Sequence, residues 1–369
     1  MVAIPDANDN SDTSGAPKQG EHNIHAEQTR SDPSFISQIN VTNVPYFRGP
    51  LENRGLSQGA VSIILSSWRT STQRQYVPYL NKWRRYCCSR KLDFLSATIE
   101  EGVNFLAELY KEGIGYSALN TARSALSTVF NLPNNQTFGT NPLVTRFMKG
   151  VFETRPSMPR YSDTWDVNVV LDYLSGLGQP DEQGLKMLTY KTVMLLALLT
   201  GQRRQTLHAL DITTMDLNPE KCTFVINSLL KTSRPGKQLA PIEVQAYKHN
   251  EKLFPVAHIA EYIKRTKGLR GNHHKFFISY QKPHREVSAD TVSRWLKNTL
   301  ELAGVNTSKF GAHSTRAATI SAAKAMNMPV DIIMQSAGWS QESTFGKYYH
   351  KPVEPKANFG KFLLNNKSK

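Results

Sequence analysis

The pattern of apolar and polar residues divides the chain near residue 56. Before that point Asn, Ser, Asp, Gly and Gln predominate, and this composition offers too little apolar surface to offset the entropy of ordering. Beyond Gly59, apolar residues recur at three- and four-residue intervals, which is typical of amphipathic helices. We therefore predict a disordered tail over 1–55 and a domain of four or five helices over 56–155. The helical segments are AVSIILSSW, TQRQYVPYLNKWRRYCCSR, TIEEGVNFLAELYKEG and YSALNTARSALSTVFN.

Polar residues mark where two of these helices begin. Ser71 and Thr72 are predicted to cap the second helix, and Ser96 and Thr98 the third, because hydroxyls at these places accept hydrogen bonds from free backbone N–H groups. The glycines at 113–115 are predicted to end the third helix before the fourth begins.

The second half of the chain mixes helical and β-like patterns. The stretch CTFVINSLLKTSRPGKQLAPIEV has two β-like runs around Pro235–Gly236, which predicts a β-hairpin, and 276–279 is predicted as a short strand. We therefore expect a mostly α fold, in which a linker at 154–161 joins the helical domain to an α-rich domain with a small antiparallel sheet over 160–369. Helices are predicted over 168–177, 187–200, 256–266, 289–302, 315–326 and 330–336.

The chain is strongly basic. It holds 45 Lys and Arg against 30 Asp and Glu, which gives a net charge of +15. The predicted tail contributes −3, so the remaining residues carry +18. A positive field of this size attracts polyanions, with nucleic acid as the leading partner and an anionic membrane surface as the weaker alternative.

Hydropathy and cysteine spacing indicate which cellular compartment to expect for this protein. Apolar runs are shorter than the roughly 18 residues that a membrane span needs, and the first residues lack the basic and apolar regions of a signal peptide. Cys87 and Cys88 are adjacent and Cys222 is isolated, which does not favour disulfides. We expect an intracellular protein, nuclear if the source is eukaryotic, without membrane contact.

Three short clusters carry groups that suit phosphate chemistry, at 200–204, 313–316 and 338–350. Each cluster alone is weak, since exposed arginines and packed tyrosines are common. Together they supply what metal-free cleavage of a phosphodiester needs. A tyrosine can attack and conserve the bond energy as a phosphotyrosine, and guanidinium groups can each bind two nonbridging oxygens.

The order of these groups resembles that of the tyrosine recombinases, the phage integrase family. Arg203 is followed by His313 and Arg316 after 110 and 113 residues, by Trp339 after 23 more, and by a tyrosine 9 or 10 residues later. The resemblance covers the chain after the tail. It implies that the helical domain is a SAM-like core-binding domain and that the second half has the catalytic fold of that family. Three segments are most similar to the recombinases of DIRS-type retroelements and their relatives in animal genomes: STRAATISAA, AGWSQESTFGKYYHKP and LLKTSRPGK. This similarity favours a mobile element and leaves a host gene as the alternative.

The resemblance implies a metal-independent DNA strand transferase that requires no cofactor. Such a protein breaks one strand of double-stranded DNA through a 3′-phosphotyrosyl intermediate and rejoins it to another 5′-hydroxyl, in DNA recombination and integration. Two other classes stay open: a type IB topoisomerase-like enzyme that relaxes DNA, and a domesticated, non-catalytic DNA-binding protein. His273 and His274 lack partners at metal-ligand spacing, so no metal site is predicted.

The identity of the nucleophile has two candidates. Tyr348 has the spacing from Trp339 that many phage and bacterial relatives show, whereas Tyr349 lies one residue further on. The DIRS-like wording favours Tyr349, because relatives often have phenylalanine at the first of the two places. We take Tyr349 as the predicted nucleophile and Tyr348 as the alternative.

Two further positions follow from the resemblance. Lys231, at the mouth of the predicted hairpin, resembles the family's hairpin lysine and is the predicted general acid, with Lys237 as a rival. Thr206 stands where many bacterial relatives carry a carboxylate near the first arginine. This departure implies that another group orients Arg203.

The helical domain interleaves cations with aromatic residues, which suits contact with phosphates. A solvated charged face would have the same pattern. The apolar segment 358–364 is expected either to dock onto a second copy, in a dimer or tetramer on DNA, or to pack on its own chain. The predicted DNA-binding residues are Arg69, Arg74, Lys82, Arg84 and Arg85.

Overall fold

The computed structural model describes residues 45–52, 55–130, 132, 136–158, 163–231, 233–236 and 239–338. These residues belong to two compact units, whose boundary between 158 and 159 falls in the expected linker region. The predicted tail lies outside the described residues as far as residue 44. Within the range predicted as a tail, the structure describes a helix at Pro45–Glu52.

The N-terminal unit is helical where the structure describes it. Its helices are α1 Pro45–Glu52, α2 Gln58–Ser66, α3 Thr70–Arg90, α4 Ile99–Lys111, α5 Tyr116–Leu126 and α6 Pro142–Thr154. Helices α2 to α5 correspond to the four apolar patterns read from the sequence. Helix α6 begins with a proline in its first turn, where no N–H is needed, and the Asn141 side chain accepts a hydrogen bond from the Leu143 N–H.

Aromatic side chains form the centre of this unit. Trp83 is fully buried, and its ring centroid lies 5.3, 5.2 and 5.4 Å from those of Tyr86, Phe105 and Phe130. The indole N–H donates to the Phe94 carbonyl at 3.1 Å, so the buried donor is satisfied. These contacts bury one face of α3 and leave its opposite face to solvent.

The helix caps predicted from the sequence are confirmed for α4 but not for α3. Helix α4 begins with a capping box, in which the Thr98 hydroxyl accepts from the Glu101 N–H and the Glu101 carboxylate accepts from the Thr98 N–H. Helix α3 begins earlier than expected, after Arg69, which makes no side-chain cap. The capping role predicted for Ser71 and Thr72 is therefore wrong, because both lie inside the first turn.

The C-terminal unit is built around one apolar helix. Its described helices are α7 Val167–Gly176, α8 Leu185–Thr200, α9 Arg204–Ala209, α10 Pro255–Thr266, α11 Ala289–Leu302, α12 Ser314–Ala325 and α13 Val330–Ala337. Helix α8 packs against α10, α11 and α12, and all its residues from 188 to 198 are buried. A helix covered on every side needs no polar stripe, which explains its apolar sequence. None of the helices in the described residues is long and apolar enough to cross a membrane.

A small antiparallel sheet packs against α8 and α10. Its strands are β1 Met215–Leu217, β2 Lys221–Phe224 and β3 Ile242–Gln245, in the order β1-β2-β3. The pairing of β2 with β3, with Cys222 opposite Val244, confirms the predicted hairpin. The prediction of a mostly α fold with a small antiparallel sheet is also confirmed. Strand β1 was not predicted, because three residues are too few to show a period of two.

The strand predicted at 276–279 is not present among the described strands. Instead, the Phe276 N–H donates to the Leu210 carbonyl at 2.8 Å, and only isolated bridges occur nearby. Phe276 and Phe277 are buried in the core of the unit. A short apolar run indicates that a segment is buried, but it does not distinguish a strand from an irregular buried segment.

Two ionisable side chains lie buried on the packed helices α8 and α10. The Lys191 ammonium donates to the Gly178 carbonyl at 2.7 Å. His258 places Nδ1 2.7 Å from the Phe254 carbonyl oxygen, and its Nε2 has no hydrogen-bond partner among the described residues. Burial lowers the pKa of Lys191 to about 8. Burial, with a contribution from the Lys191 charge, lowers the pKa of His258 to about 4.

We expect acidification to destabilise the C-terminal unit through His258. The unfolded side chain binds a proton near its ordinary pKa of 6.5, whereas the folded one does so only near a pKa of about 4, so stability is lost as the pH falls through this window. Between about pH 7 and about pH 5 the loss is about 2 kcal/mol. The His258→Gln variant does not titrate at this position, so its free energy of unfolding should not show this loss. Urea denaturation at both pH values measures the free energy, with hydrogen exchange of α10 as the probe of the C-terminal unit. Equal losses in both proteins would contradict the assignment.

Candidate active site

The loop that follows α8 is set by a glycine. Gly201 ends the helix with a φ of +59°, a left-handed conformation that side chains other than glycine rarely adopt. The turn frees the Gly201 carbonyl from the helix and directs the chain into α9. The next two residues, Gln202 and Arg203, therefore leave the end of a fully packed helix, which fixes their backbone.

Arg203 lies at the start of α9 and is partly buried. Its carbonyl accepts hydrogen bonds from the N–H groups of Thr206 at 2.8 Å and Leu207 at 3.1 Å. Its Nε is buried with no hydrogen-bond partner among the described residues. Thr206 is buried and supplies no carboxylate, as the sequence indicated, so the guanidinium depends on the loop backbone for its position.

Arg316 joins the ends of two helices. Its side chain, on the first turn of α12, is 2% exposed. Nη1 donates to the Gly201 carbonyl at 2.5 Å, and Nη2 donates to the Ala337 carbonyl at 2.7 Å. Carbonyls at helix C-termini carry partial negative charge and lack partners within the helix, so a guanidinium is well suited to bind them. Arg316 is thus bonded to the loop that carries Arg203, two residues before that arginine.

A second side chain binds the end of α13. The Gln202 Nε2 donates to the Ser336 carbonyl at 2.7 Å. Gly338 follows with a φ of +68° and ends the helix. The described chain stops there, so Trp339, Tyr348, Tyr349 and the segment 358–364 lie outside the described residues.

His313 lies on the surface immediately before α12. The adjacent Ser314 is 1% exposed, and its hydroxyl donates to the Gly311 carbonyl at 2.7 Å. The same hydroxyl accepts from the Trp165 indole N–H at 2.9 Å. These bonds hold the start of α12, and with it the backbone of His313. Trp165 was missed from the sequence, because a single tryptophan 149 residues before its partner carries no pattern.

Lys231 lies on an exposed turn in the connection between β2 and β3. The Ser233 N–H donates to the Leu230 carbonyl at 3.0 Å, and the Ser233 hydroxyl accepts from the Leu230 N–H at 2.9 Å. The hydrogen bonds that join the Arg203 loop to α12 and α13 do not involve Lys231. Its rival Lys237 lies outside the described residues.

The predicted DNA-binding cations of the helical unit have different surroundings. Arg69, Arg74, Arg84 and Arg85 are exposed. Lys82 is partly buried and forms an ion pair with Glu112 at 2.7 Å. Arg74 and Arg85 are 11 residues apart in α3, which places them on the same face and about 16 Å apart along the axis. This face is opposite the one buried around Trp83.

Residues 176–354 match the model of the phage integrase family. The matched range includes every catalytic residue proposed from the sequence, from Arg203 to Tyr349. This part of the chain is therefore a phage integrase family domain. No curated protein sequence matches the chain.

Solved structures of DNA-bound proteins share the fold. The XerH site-specific recombinase bound to palindromic difH substrate is 15% identical with a TM-score of 0.54, covering 84% of this chain and 82% of XerH. The Tn1549 transposon integrase in complex with transposon right end DNA is 13% identical with a TM-score of 0.53, covering 88% and 98%. A lambda integrase dimer bound to a COC' core site is 16% identical with a TM-score of 0.50, covering 89% and 84%. The fold of this chain is therefore the one seen in these three proteins.

Proposed function

We propose that this chain, which carries a phage integrase family domain, is a site-specific DNA recombinase. It breaks a DNA strand through a 3′-phosphotyrosyl intermediate and rejoins that strand to another 5′-hydroxyl. One observation carries the proposal: inside that domain, hydrogen bonds join the Arg203 loop, Arg316 and the end of α13. The similar XerH and Tn1549 integrase structures hold DNA, which supports a DNA substrate here.

In the proposed cleavage step a tyrosine replaces the 5′ oxygen on phosphorus. Tyr349 Oη forms a bond to phosphorus while the bond from phosphorus to the 5′ oxygen breaks. The phenolic proton passes to His313, and Lys231 gives a proton to the leaving oxygen, so the protons balance. In rejoining, a 5′-hydroxyl attacks the phosphotyrosine and the tyrosine leaves.

In this mechanism Arg203, Arg316 and Trp339 stabilise the negative charge that builds up on the phosphoryl oxygens. A guanidinium has five N–H hydrogens. The bonds from Arg316 to Gly201 and Ala337 use one hydrogen on each terminal nitrogen. We propose that Arg316 both holds the end of α13 against the Arg203 loop and stabilises the phosphate through its positive charge.

A trapping experiment tests the proposal. A duplex that the protein selects from a random-sequence pool is nicked near its bound site, so that a short 5′-hydroxyl fragment diffuses away and rejoining fails. We expect a covalent protein–DNA band that resists denaturation and forms in EDTA, because the proposed chemistry uses only side chains. A duplex that binds without ever giving this band would favour the domesticated, non-catalytic DNA-binding protein.

Strand exchange separates a recombinase from a type IB topoisomerase-like enzyme. A recombinase should form joint products only when two copies of the selected site are present. A topoisomerase should relax supercoiled plasmid as a single copy without a second site. We expect the two-site requirement.

Assembly and origin are part of the proposal. We propose that the protein acts as a dimer or tetramer on DNA, with the apolar segment 358–364 contacting a second copy. The lambda integrase dimer on a core site supports assembly on DNA. The DIRS-like wording supports a mobile element and, with it, a nuclear location. Size-exclusion chromatography with light scattering, with and without the selected duplex, measures the assembly.

We expect the cleavage defect of Lys231→Ala to depend on the leaving group. On ordinary DNA the variant should be slow, because the 5′ oxygen needs a proton. On a duplex with a 5′-bridging phosphorothiolate it should approach the wild-type rate, because sulfur leaves without one. Single-turnover rates on both duplexes measure the rescue, and equal defects would assign the lysine another role.

We expect Arg74 and Arg85 to account for part of the salt dependence of DNA binding. Each phosphate contact contributes about −0.9 to the slope of log affinity against log salt, so the double variant Arg74→Ala/Arg85→Ala should reduce the slope by roughly 1.8. Lys82→Ala is the comparison, and its smaller expected effect follows from the ion pair with Glu112. Fluorescence anisotropy with a labelled random-sequence duplex measures the slopes. An unchanged slope in the double variant would show that this face of α3 does not contact DNA.

A further inference from the structure

We infer that Gln202 is a positioning residue, which fixes Arg203 relative to the C-terminal end of α13. The inference rests on the proposed function for its effect on cleavage, but the contact itself stands on the structure. The Gln202 amide nitrogen donates to the Ser336 carbonyl at 2.7 Å across 134 residues of sequence. A side chain next to the predicted catalytic arginine thus holds the end of another helix.

The acceptors of this bond and of the Arg316 bond are adjacent. Ser336 and Ala337 are the last two residues of α13, where helix carbonyls have no partner within the helix. Gln202 from the α8–α9 loop binds the first carbonyl, and Arg316 from α12 binds the second. The C-terminal end of α13 is therefore held by two side chains from elsewhere in the fold.

The apolar attachment of α13 is small. Ile333 and Ala337 are the buried residues of this eight-residue helix, and they pack with Ala317 and Ile320 of α12. Several of these side chains are short, so contact between the helices constrains rotation of α13 weakly. The hydrogen bonds at the C-terminal end of α13 therefore contribute strongly to fixing the orientation of this helix.

The same bond also constrains Arg203. Gln202 is bonded through its side chain, and the preceding Gly201 is bonded through its carbonyl to Arg316. Arg203 follows directly, and Thr206 supplies no carboxylate to hold its guanidinium. Two bonded residues therefore fix the backbone from which the Arg203 side chain extends. Loss of the Gln202 bond should displace the guanidinium from the phosphate.

The chemistry of the bond dictates the variants. The acceptor is a carbonyl, so Gln202→Glu keeps the size of the side chain but replaces the donor with a carboxylate that repels the acceptor. Gln202→Lys restores a donor of sufficient length. Gln205→Ala is the matched control, because Gln205 is an exposed glutamine on the next helix.

The test measures both the contact and cleavage in the full-length protein. Hydrogen exchange of 330–338 should become about tenfold faster in Gln202→Glu and stay near wild type in Gln202→Lys and Gln205→Ala. With the selected nicked duplex at saturating protein, Gln202→Glu should lower the single-turnover cleavage rate by about 10- to 100-fold, with partial rescue in Gln202→Lys. Duplex affinity and thermal midpoint should be nearly unchanged, which separates a local displacement of Arg203 from a general loss of binding or stability.

The two measurements separate the possible failures. Unchanged exchange in Gln202→Glu overturns the inference, whether or not the protein cleaves DNA. Faster exchange with an unchanged cleavage rate also overturns it, because Gln202 would then hold α13 without positioning Arg203. A wild-type protein that binds the duplex but forms no adduct overturns the proposed function instead, and the exchange result still decides the contact.

Discussion

Tyr349→Phe should abolish the covalent protein–DNA adduct, and Tyr348→Phe should leave it intact. Phenylalanine keeps the ring and its packing but lacks the hydroxyl that attacks phosphorus. Adjacent side chains point in different directions along a helix or a strand, so only one of the two hydroxyls can face the phosphate held by Arg203 and Arg316. The expected loss is complete, since the remaining groups cannot form the phosphotyrosine bond.

The two tyrosines can be distinguished without mutation as well. Digestion of the trapped adduct and fragmentation of the peptide that begins after Lys347 shows which residue carries the nucleotide. A duplex-binding assay is the control, because both variants should bind the selected duplex as the wild type does. If Tyr348→Phe is the inactive variant, the spacing of phage and bacterial relatives holds and the DIRS-like alignment is shifted by one residue.

Arg203→Ala and Arg316→Ala should each lower the cleavage rate by about two to three orders of magnitude, the usual cost of one transition-state donor. They should differ in stability. Arg316 is buried and binds two carbonyls, and each carbonyl left unpaired costs about 1–3 kcal/mol. Arg203 makes no comparable side-chain bonds among the described residues, so its variant should melt near the wild-type temperature.

Single-turnover cleavage and differential scanning calorimetry measure these two effects. Arg204→Ala is the control, because Arg204 is the next cation along the chain and pairs with Asp290 at 3.1 Å. It should cleave close to the wild-type rate. Duplex affinity of all three variants should stay within about tenfold, since one phosphate contact among several is removed. An Arg203→Ala protein with wild-type cleavage would exclude that arginine from the site.

Local sequence determined most of the helices that the structure describes. The three- and four-residue spacing of apolar positions marked α2 to α5, and the long apolar run marked α8, because helix formation and burial of one face depend on neighbours within a few turns. Patterns within a few residues cannot reveal pairing between distant parts of the backbone, which limits the prediction of strands. The run at 276–279 has the composition of a strand, yet its backbone pairs with Leu210 rather than within a sheet.

The sequence by itself also determined which residue types occur in which order, and the match over 176–354 follows from that order. It did not show how they meet. Only the tertiary structure decided that Arg316 binds the Gly201 and Ala337 carbonyls and that Gln202 binds Ser336. These bonds connect residues 21 to 134 positions apart, and their partners are backbone carbonyls, which every residue possesses. No side-chain pattern can mark such an acceptor, because packing of α8, α12 and α13 alone brings it within reach.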